Sequence, residues 1–242
     1  MAQVLAERQF ASGHKAWVAI SEAADGDMAI NDLKTREKTI QEVSLSLVER
    51  NAGLVIPTSQ HWSFLTQVHG SENIEVKENE TVLGLEGDAL FTAQNKKVLT
   101  VQVADCVPLA LTSSCGAIAV IHAGWRGLLS GVIERASEAL QREFPGEQLA
   151  VIGPHIGPCC YEYGRKDLGS FVEAFGPSVA GVTDSSTDSL DLMAIVRVIL
   201  EKNGIGLVYI EDSCTSCDSK FWSYRSNGTQ KRQSLFAWIE KN

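Results

Sequence analysis

The segment ADCVPLALTSSCGAIAVIHAGWRGLLSGVI, residues 104–133, sets the terms for the rest of the chain. It reads as strand, turn, strand, glycine-rich corner and amphipathic helix. Residues 107–112 and 117–121 are short apolar runs separated by Ser113-Ser114-Cys115-Gly116, the composition of a hairpin connection. Cys106 stands at the start of the first run and His122 at the end of the second. In an antiparallel pair the numbers of facing residues add to a constant. A connection with an odd number of residues, for instance 113–115 with Gly116 at positive φ, puts thiol and imidazole on one face. An even connection puts them on opposite faces, because one step of register turns every side chain over. Taken alone, the two side chains read more simply as a buried thiol and a satisfied strand-end histidine.

Outward from this segment, residues 98–103 predict the strand that delivers the chain to Asp105-Cys106, and residues 87–92 another before it. Asp105 is placed either to orient a ligand histidine from behind or to cap the next turn. Residues 61–70 (HWSFLTQVHG) predict a strand ending at His69, with 74–77 as a short return strand. Residues 3–10 and 16–21 predict two strands joined at Ser12-Gly13-His14, and 33–49 a helix carrying Ile40, Val43, Leu45, Leu47 and Val48. On the other side, helical spacing runs from Leu128 to about Glu143, and Pro145-Gly146 ends it. Residues 149–152 predict a strand, 153–162 (GPHIGPCCYE) a shaped loop, 167–175 a helix and 176–189 a polar loop. A helix over 190–202 and a strand over 207–210 follow. Residues 221–225 and 234–239, around Asn227-Gly228, predict a type I′ hairpin. No repeat or linker divides residues 1–242, so one α+β domain is expected.

Composition narrows the function. The chain of 242 residues is 44% hydrophobic and carries a net charge of −9, with no basic block and no apolar stretch of membrane-spanning length. Neither nucleic acid nor a membrane is therefore an expected partner. MAQVLAERQF has no basic n-region and no apolar h-region, so a cytoplasmic location is expected. Six cysteines in that setting read as reduced thiols. Cys214 and Cys217 form a single CxxC without a second such pair, a weak zinc signal that reads first as two thiols in a tight turn.

Three side chains stand at predicted strand ends: His69, Cys106 and His122. Two imidazoles and a thiolate form a three-ligand zinc set with a fourth position left for water, whose pKa such a zinc lowers to about 7. The same trio suits a cysteine hydrolase, with Cys106 as nucleophile and a histidine as its base. Spacing alone leaves both open. Beside the trio, the corner Gly124-Trp125-Arg126-Gly127 before a helix offers amide donors and a guanidinium to a phosphate or carboxylate.

QVHG at 67–70, ADCVPLAL at 104–111, IHAGWRGLLSGV at 121–132, GPHIGPCCYE at 153–162 and CTSCDSKFWSYR at 214–225 occur in the order of one family. On these blocks the chain resembles the YfiH-type proteins, variously described as laccase-domain or polyphenol-oxidase-like, as purine nucleoside phosphorylases and as peptidoglycan-editing factors. The resemblance covers roughly residues 60 to 240. It implies an α/β/β/α layered domain with mixed sheets, a fold shared with a superfamily of cysteine hydrolases. It implies a catalytic zinc on His69, Cys106 and His122. The front departs from the family's pattern of Thr-Arg-x-Gly-Gly and Asn-Leu-Gly. Residues 20–26 (ISEAADG) have no arginine, and residues 28–31 (MAIN) follow only loosely. Thr229-Gln230-Lys231-Arg232 stands where the family has Thr-Gly-Arg.

The activity implied is phosphorolysis of adenosine, inosine, guanosine and methylthioadenosine, with deamination of adenosine. Deamination has a direct physical account, water activated by zinc attacking C6 of adenine. For phosphorolysis, Arg126 and the helix N-terminus after Gly127 are the phosphate candidates. Trp125, Trp222 or Tyr224 would stack the base, and Gln67 is a further substrate-binding candidate. Five histidines and no His-x-His pair do not make a multicopper site, so laccase chemistry is not expected, although copper suits the trio as an ion. The rival enzyme is a peptidoglycan-precursor editing hydrolase that cleaves an amide of a wrongly made UDP-MurNAc-amino acid. A structural zinc module that binds a partner needs a fourth ligand, from Cys159, Cys160 or His155. The chain carries no heptad pattern, and a monomer is expected.

Overall fold

Two six-stranded sheets stack face to face, and helices cover the outer side of each. The computed structural model describes residues 1–29 and 33–240. In chain order the elements are β1 (Gln3–Gln9), β2 (Lys15–Ile20), α1 (Leu33–Arg50), β3 (Trp62–Thr66), β4 (Asn73–Glu75), β5 (Leu83–Glu86), β6 (Ala89–Thr92), β7 (Val98–Val103), β8 (Val107–Ser113), β9 (Ala117–Ala123), α2 (Trp125–Leu129), α3 (Val132–Glu143), β10 (Gln148–Ile152), α4 (Arg165–Phe175), β11 (Ala180–Val182), β12 (Asp188–Leu190), α5 (Leu192–Lys202), β13 (Gly206–Ile210), α6 (Tyr224–Asn227) and β14 (Gln233–Glu240). Ile30 and Asn31, in the segment compared above with the family's front, lie outside the described residues. No described helix is long and apolar enough to cross a membrane.

The first sheet runs β1-β2-β14-β7-β3-β5 and the second β13-β10-β8-β9-β6-β4. Both mix parallel and antiparallel pairs. In the first, β3 lies parallel to β7 and β5 while β14 is antiparallel to β2 and β7. Three cores account for the layering. Ile118, Val120 and Ala110 of the second sheet meet Leu99, Val101 and Leu235 of the first between the sheets. Leu109, Leu111, Ala119 and Ile121 point the other way, onto α3, α4 and α5. Ile40, Val43 and Leu47 of α1 cover the far side of the first sheet, on Trp62, Phe236 and Trp238. Strands buried on both faces read as continuous apolar runs, as 107–112 and 117–121 do. This is the α/β/β/α arrangement of an α+β protein.

The β8–β9 hairpin places the site. Ser113 pairs with Ala117 and Pro108 with His122, so the connection is Ser114-Cys115-Gly116, with Gly116 at φ +97°. Three residues is an odd number, one position later than the 113–115 example. Cys106, one step before β8, therefore shares the parity of His122, and both belong to the face that looks between the sheets. They are diagonal neighbours, since Cys106 falls opposite Gly124.

Several expected elements differ. The strand at 61–70 ends at Thr66. Beyond it the N–H groups of Val68, His69 and Gly70 turn to the Asp88 carboxylate instead of a strand partner, and His69 takes φ +59°. Residues 73–75 do not return along β3; they pair parallel with β6 in the second sheet. The single helix expected from Leu128 is two, α2 and α3, broken where Gly131 takes φ +76°. Apolar spacing hid the break, because Leu128, Val132, Ile133 and Leu140 all enter one core. On α1, Leu45 and Val48 are exposed rather than part of the stripe. The loop at 176–189 contains β11, and Asp188–Leu190 forms β12 against it. That moves the start of the next helix to Leu192, where Asp191 accepts from Ala194 N at 2.9 Å. The tail is not a hairpin. Ser223 caps the one-turn helix α6, Gly228 ends it at φ +66°, and β14 runs between β2 and β7.

Candidate metal centre

His122 is 3% exposed at the end of β9, and its Nδ1 lies 2.7 Å from Asp88 Oδ1. Asp88 is fully buried and precedes β6, whose register with β9 carries it opposite His122; Ala89 pairs with Ile121 one step on. A carboxylate on Nδ1–H fixes the tautomer and leaves Nε2 as the free ligand nitrogen. The same carboxylate accepts from His69 N at 3.0 Å and Gly70 N at 2.6 Å, so one side chain orients one imidazole and shapes the loop that carries the other. Cys106 Sγ is 3.9 Å from His69 Nε2, and the rings of His69 and His122 meet edge to face at 4.7 Å between centroids. The donor atoms of all three lie within 4.8 Å of one another.

Gly124 makes the room. Its φ of −78° and ψ of 165° are open to any residue. Yet a Cβ there would stand 2.9 Å from His69 Cδ2 and 3.1 Å from Cys106 Sγ. The position demands glycine for space, not for conformation.

Electrostatics point the same way. Burial opposes ionisation of the Cys106 thiol, but the charge and hydrogen bond of His122, helped by His69, outweigh it and bring the thiol down to about 6. Burial likewise opposes charge on His122, and the Cys106 and Asp88 anions overcome it and raise the imidazole to about 9. Asp88 is lowered; burial works against it, and His122 with the loop N–H groups prevails. The group is built to balance a negative sulfur with a positive charge beside it. Soft sulfur, two imidazoles and a carboxylate behind one of them suit a divalent borderline ion such as zinc. Among the described residues no fourth donor joins the trio: Cys159 and Cys160 belong to a separate group, and buried His155 sits 3.0 Å from the Gly153 carbonyl. Asp105 does not orient a ligand histidine. It takes φ +95° and accepts from Thr215 Oγ1 at 2.7 Å and Arg225 N at 2.6 Å, latching the tail. Asp88→Asn keeps the shape but loses the anion, so metal affinity in a chelator competition should fall roughly 10- to 100-fold. Unchanged affinity would remove Asp88 from the centre.

The trio opens into a cavity of about 900 Å³ whose walls include Gln67, Trp125, Tyr161, Tyr224, Arg36, Arg225 and Arg232. Trp125 and Gln67 thus reach the cavity, although the Gln67 amide is engaged at both ends with the main chain of Gln102 at 2.7 Å. Arg126 is exposed, with its guanidinium 4.5 Å over the Trp125 ring, and the cavity walls do not include it. The helix N-terminus there begins at Trp125, not after Gly127. Trp222 lies outside the walls too, under Lys231. The three arginines come from α1, α6 and the run into β14, and no sequence pattern groups them. Arg225 stacks on Tyr161 at 4.7 Å and Arg36 on Phe64 at 4.7 Å.

The chain belongs to the family described as multi-copper polyphenol oxidoreductase laccase, which matches residues 35–240. Within it the chain is YfiH-type. It is 36% identical over 207 residues to a purine nucleoside phosphorylase of Xylella fastidiosa, covering 79% of this chain and 78% of that one. It is 30% identical over 187 residues to the purine nucleoside phosphorylase YfiH of Escherichia coli, covering 76% and 75%. The structure of YlmD from Geobacillus stearothermophilus shares the fold, with a TM-score of 0.78 at 24% identity over 96% of this chain and 94% of that one.

Proposed function

We propose that the cavity binds a purine nucleoside with orthophosphate, and that with zinc on His69, Cys106 and His122 the protein is a purine nucleoside phosphorylase that also deaminates adenosine. The observation that carries this reading is one cavity lined both by the His/Cys/His group and by Arg36, Arg225 and Arg232. The activity named for the relatives supports it. Phosphorolysis converts nucleoside and phosphate to free base and ribose 1-phosphate; deamination converts adenosine and water to inosine and ammonia. When bound, zinc supplies a Lewis acid and a water of lowered pKa. Arg36, Arg225 and Arg232 bind the phosphate dianion by charge-assisted hydrogen bonds, which arginine makes in pairs. Trp125, Tyr161 and Tyr224 present ring faces and edges to the base. Asp88 holds His122 at Nδ1 so that Nε2 faces the metal position. Two histidines and one cysteine are too few donors for a multicopper cluster, which disfavours oxidase chemistry at this site.

A second reading rests on a specific geometry. Cys106 lies within 4.8 Å of the His122 ring nitrogen and Asp88 holds the other side of that ring, which suits them as nucleophile, base and orienting carboxylate, with the thiol already acidic. This favours hydrolysis of an amide, such as that of a wrongly made peptidoglycan precursor. Metal-replete and chelator-treated protein should be incubated with adenosine, inosine, guanosine and methylthioadenosine, with and without phosphate. The expected result is metal-dependent base release that requires phosphate, and inosine from adenosine in either buffer. Inertness on every nucleoside, with amide cleavage that survives chelation, would replace the first reading by the second.

A further inference from the structure

The CxxC at Cys214 and Cys217 does have a second pair. The fold brings it up to Cys159-Cys160, and the four sulfurs lie within 4.8 Å of one another, apart from the His69, Cys106 and His122 group. We propose that these four cysteines form a second metal site, a closed tetrathiolate zinc centre that clamps together two loops of the active-site wall.

Two contacts set the scale. Cys159 Sγ is 3.8 Å from Cys217 Sγ, and Cys160 Sγ is 3.4 Å from it. A tetrahedron with Zn–S bonds of about 2.3 Å has S–S edges of roughly 3.8 Å. A disulfide needs about 2.05 Å. It would also join only two of four sulfurs that have all converged. Each loop offers its pair from a tight turn: Cys160 N and Tyr161 N bond Gly157 O at 3.1 Å, and Cys217 N bonds Cys214 O at 3.0 Å. The turns aim peptide N–H groups at sulfur. Gly157 N lies 3.2 Å from Cys214 Sγ, and the N–H groups of Ser216 and Cys217 also point to it. Such donors stabilise a thiolate rather than a thiol. Gly157 lines the cradle, where a Cβ would stand 3.2 Å from Cys159 Sγ. On metal entry the four thiols release four protons to solvent and four Zn–S bonds form, with no change of oxidation state.

Four protein ligands leave no open position, so this centre is structural. Its place gives it a purpose. Tyr161 follows Cys160 directly, and the Thr215 hydroxyl between the other two cysteines binds the carboxylate of Asp105, which also holds the main chain of Arg225. Tyr161 and Arg225 are cavity walls. A pin through the two turns fixes both walls beside Cys106.

The test is metal stoichiometry under reducing conditions, by elemental analysis and native mass spectrometry. Expected are two zinc ions per chain for the wild type, one for Cys106→Ala and one for the double variant Cys214→Ser/Cys217→Ser. Cobalt reconstitution of Cys106→Ala should show the intense visible bands of a tetrathiolate ion. Alkylation of the wild type mapped by peptide should protect these four cysteines until a chelator is added. This readout stands even if the double variant does not fold. Metal-free Cys106→Ala with all four thiols freely alkylated would overturn the proposal, and so would an intact mass lighter by a disulfide's hydrogens. Because Cys106→Ala removes only the other ion, failure here leaves the catalytic reading intact, and the converse holds.

Discussion

Cys106→Ala is expected to empty the His/Cys/His centre and abolish turnover on every nucleoside, while the fold survives. Loss of an outer partner of a metal ligand typically lowers affinity 10- to 100-fold, and loss of the ligand itself should exceed that, at least ~100-fold. The thiolate is the anion that most strongly raises His122, so its removal also leaves the imidazole less able to hold positive charge beside it. Stability is a smaller matter. Cys106 is half-buried, and removing one sulfur costs about 1 kcal/mol, or ~2–4 °C for a chain of this size, when metal-free proteins are compared. Elemental analysis, thermal unfolding and base release together check this. Retention of full metal and turnover would refute ligation by Cys106. Loss of turnover from a wild type that never carried the metal would make Cys106 the nucleophile instead.

Gly124→Ala is the sharper case, because it adds a methyl group and removes nothing. Its dihedrals suit alanine, so the backbone alone predicts a slight gain, about 0.4–1 kcal/mol from the restricted unfolded chain. The contacts say otherwise. At 2.9 Å from His69 Cδ2 and 3.1 Å from Cys106 Sγ, the new Cβ falls short of the 3.4 Å where ordinary contact begins. The ligands must retreat by a few tenths of an ångström, more than the roughly 0.2 Å tolerance of metal–ligand distances. Metal affinity should fall by about 10- to 100-fold, and activity with it, while the metal-free protein melts within a few degrees of the wild type. Wild-type affinity in this variant would show that the trio is not compact enough to be a metal centre.

Cys106 and Gly124 are visible in the sequence, but the side chains packed against them are not. The parity of Cys106 and His122 follows from the odd connection between two apolar runs, and Gly116 at positive φ is what such a connection needs. His69 before glycine reads in the sequence as a strand end, but β3 stops at Thr66. His69 stands in a loop bent around the Asp88 carboxylate. Asp105 stands beside Cys106 in the sequence, yet the carboxylate on His122 is Asp88, which approaches because β6 lies next to β9. Arg126 adjoins the glycine corner in the chain, whereas the arginines that line the cavity, Arg36, Arg225 and Arg232, come from distant segments.

The sequence by itself determined the apolar runs that pair as β8 and β9 and demand cover on both faces, with Cys106 and His122 at their ends; whether the connection is odd or even, and so the register, came from the structure. The runs depend on residues close in the chain, where turn composition constrains the backbone directly. Only the tertiary structure decided which carboxylate backs His122, which arginines face the cavity, why Gly124 must lack a side chain, and that Cys214 and Cys217 meet Cys159 and Cys160. Each of those turns on strand order and loop packing between distant segments, which no local spacing encodes.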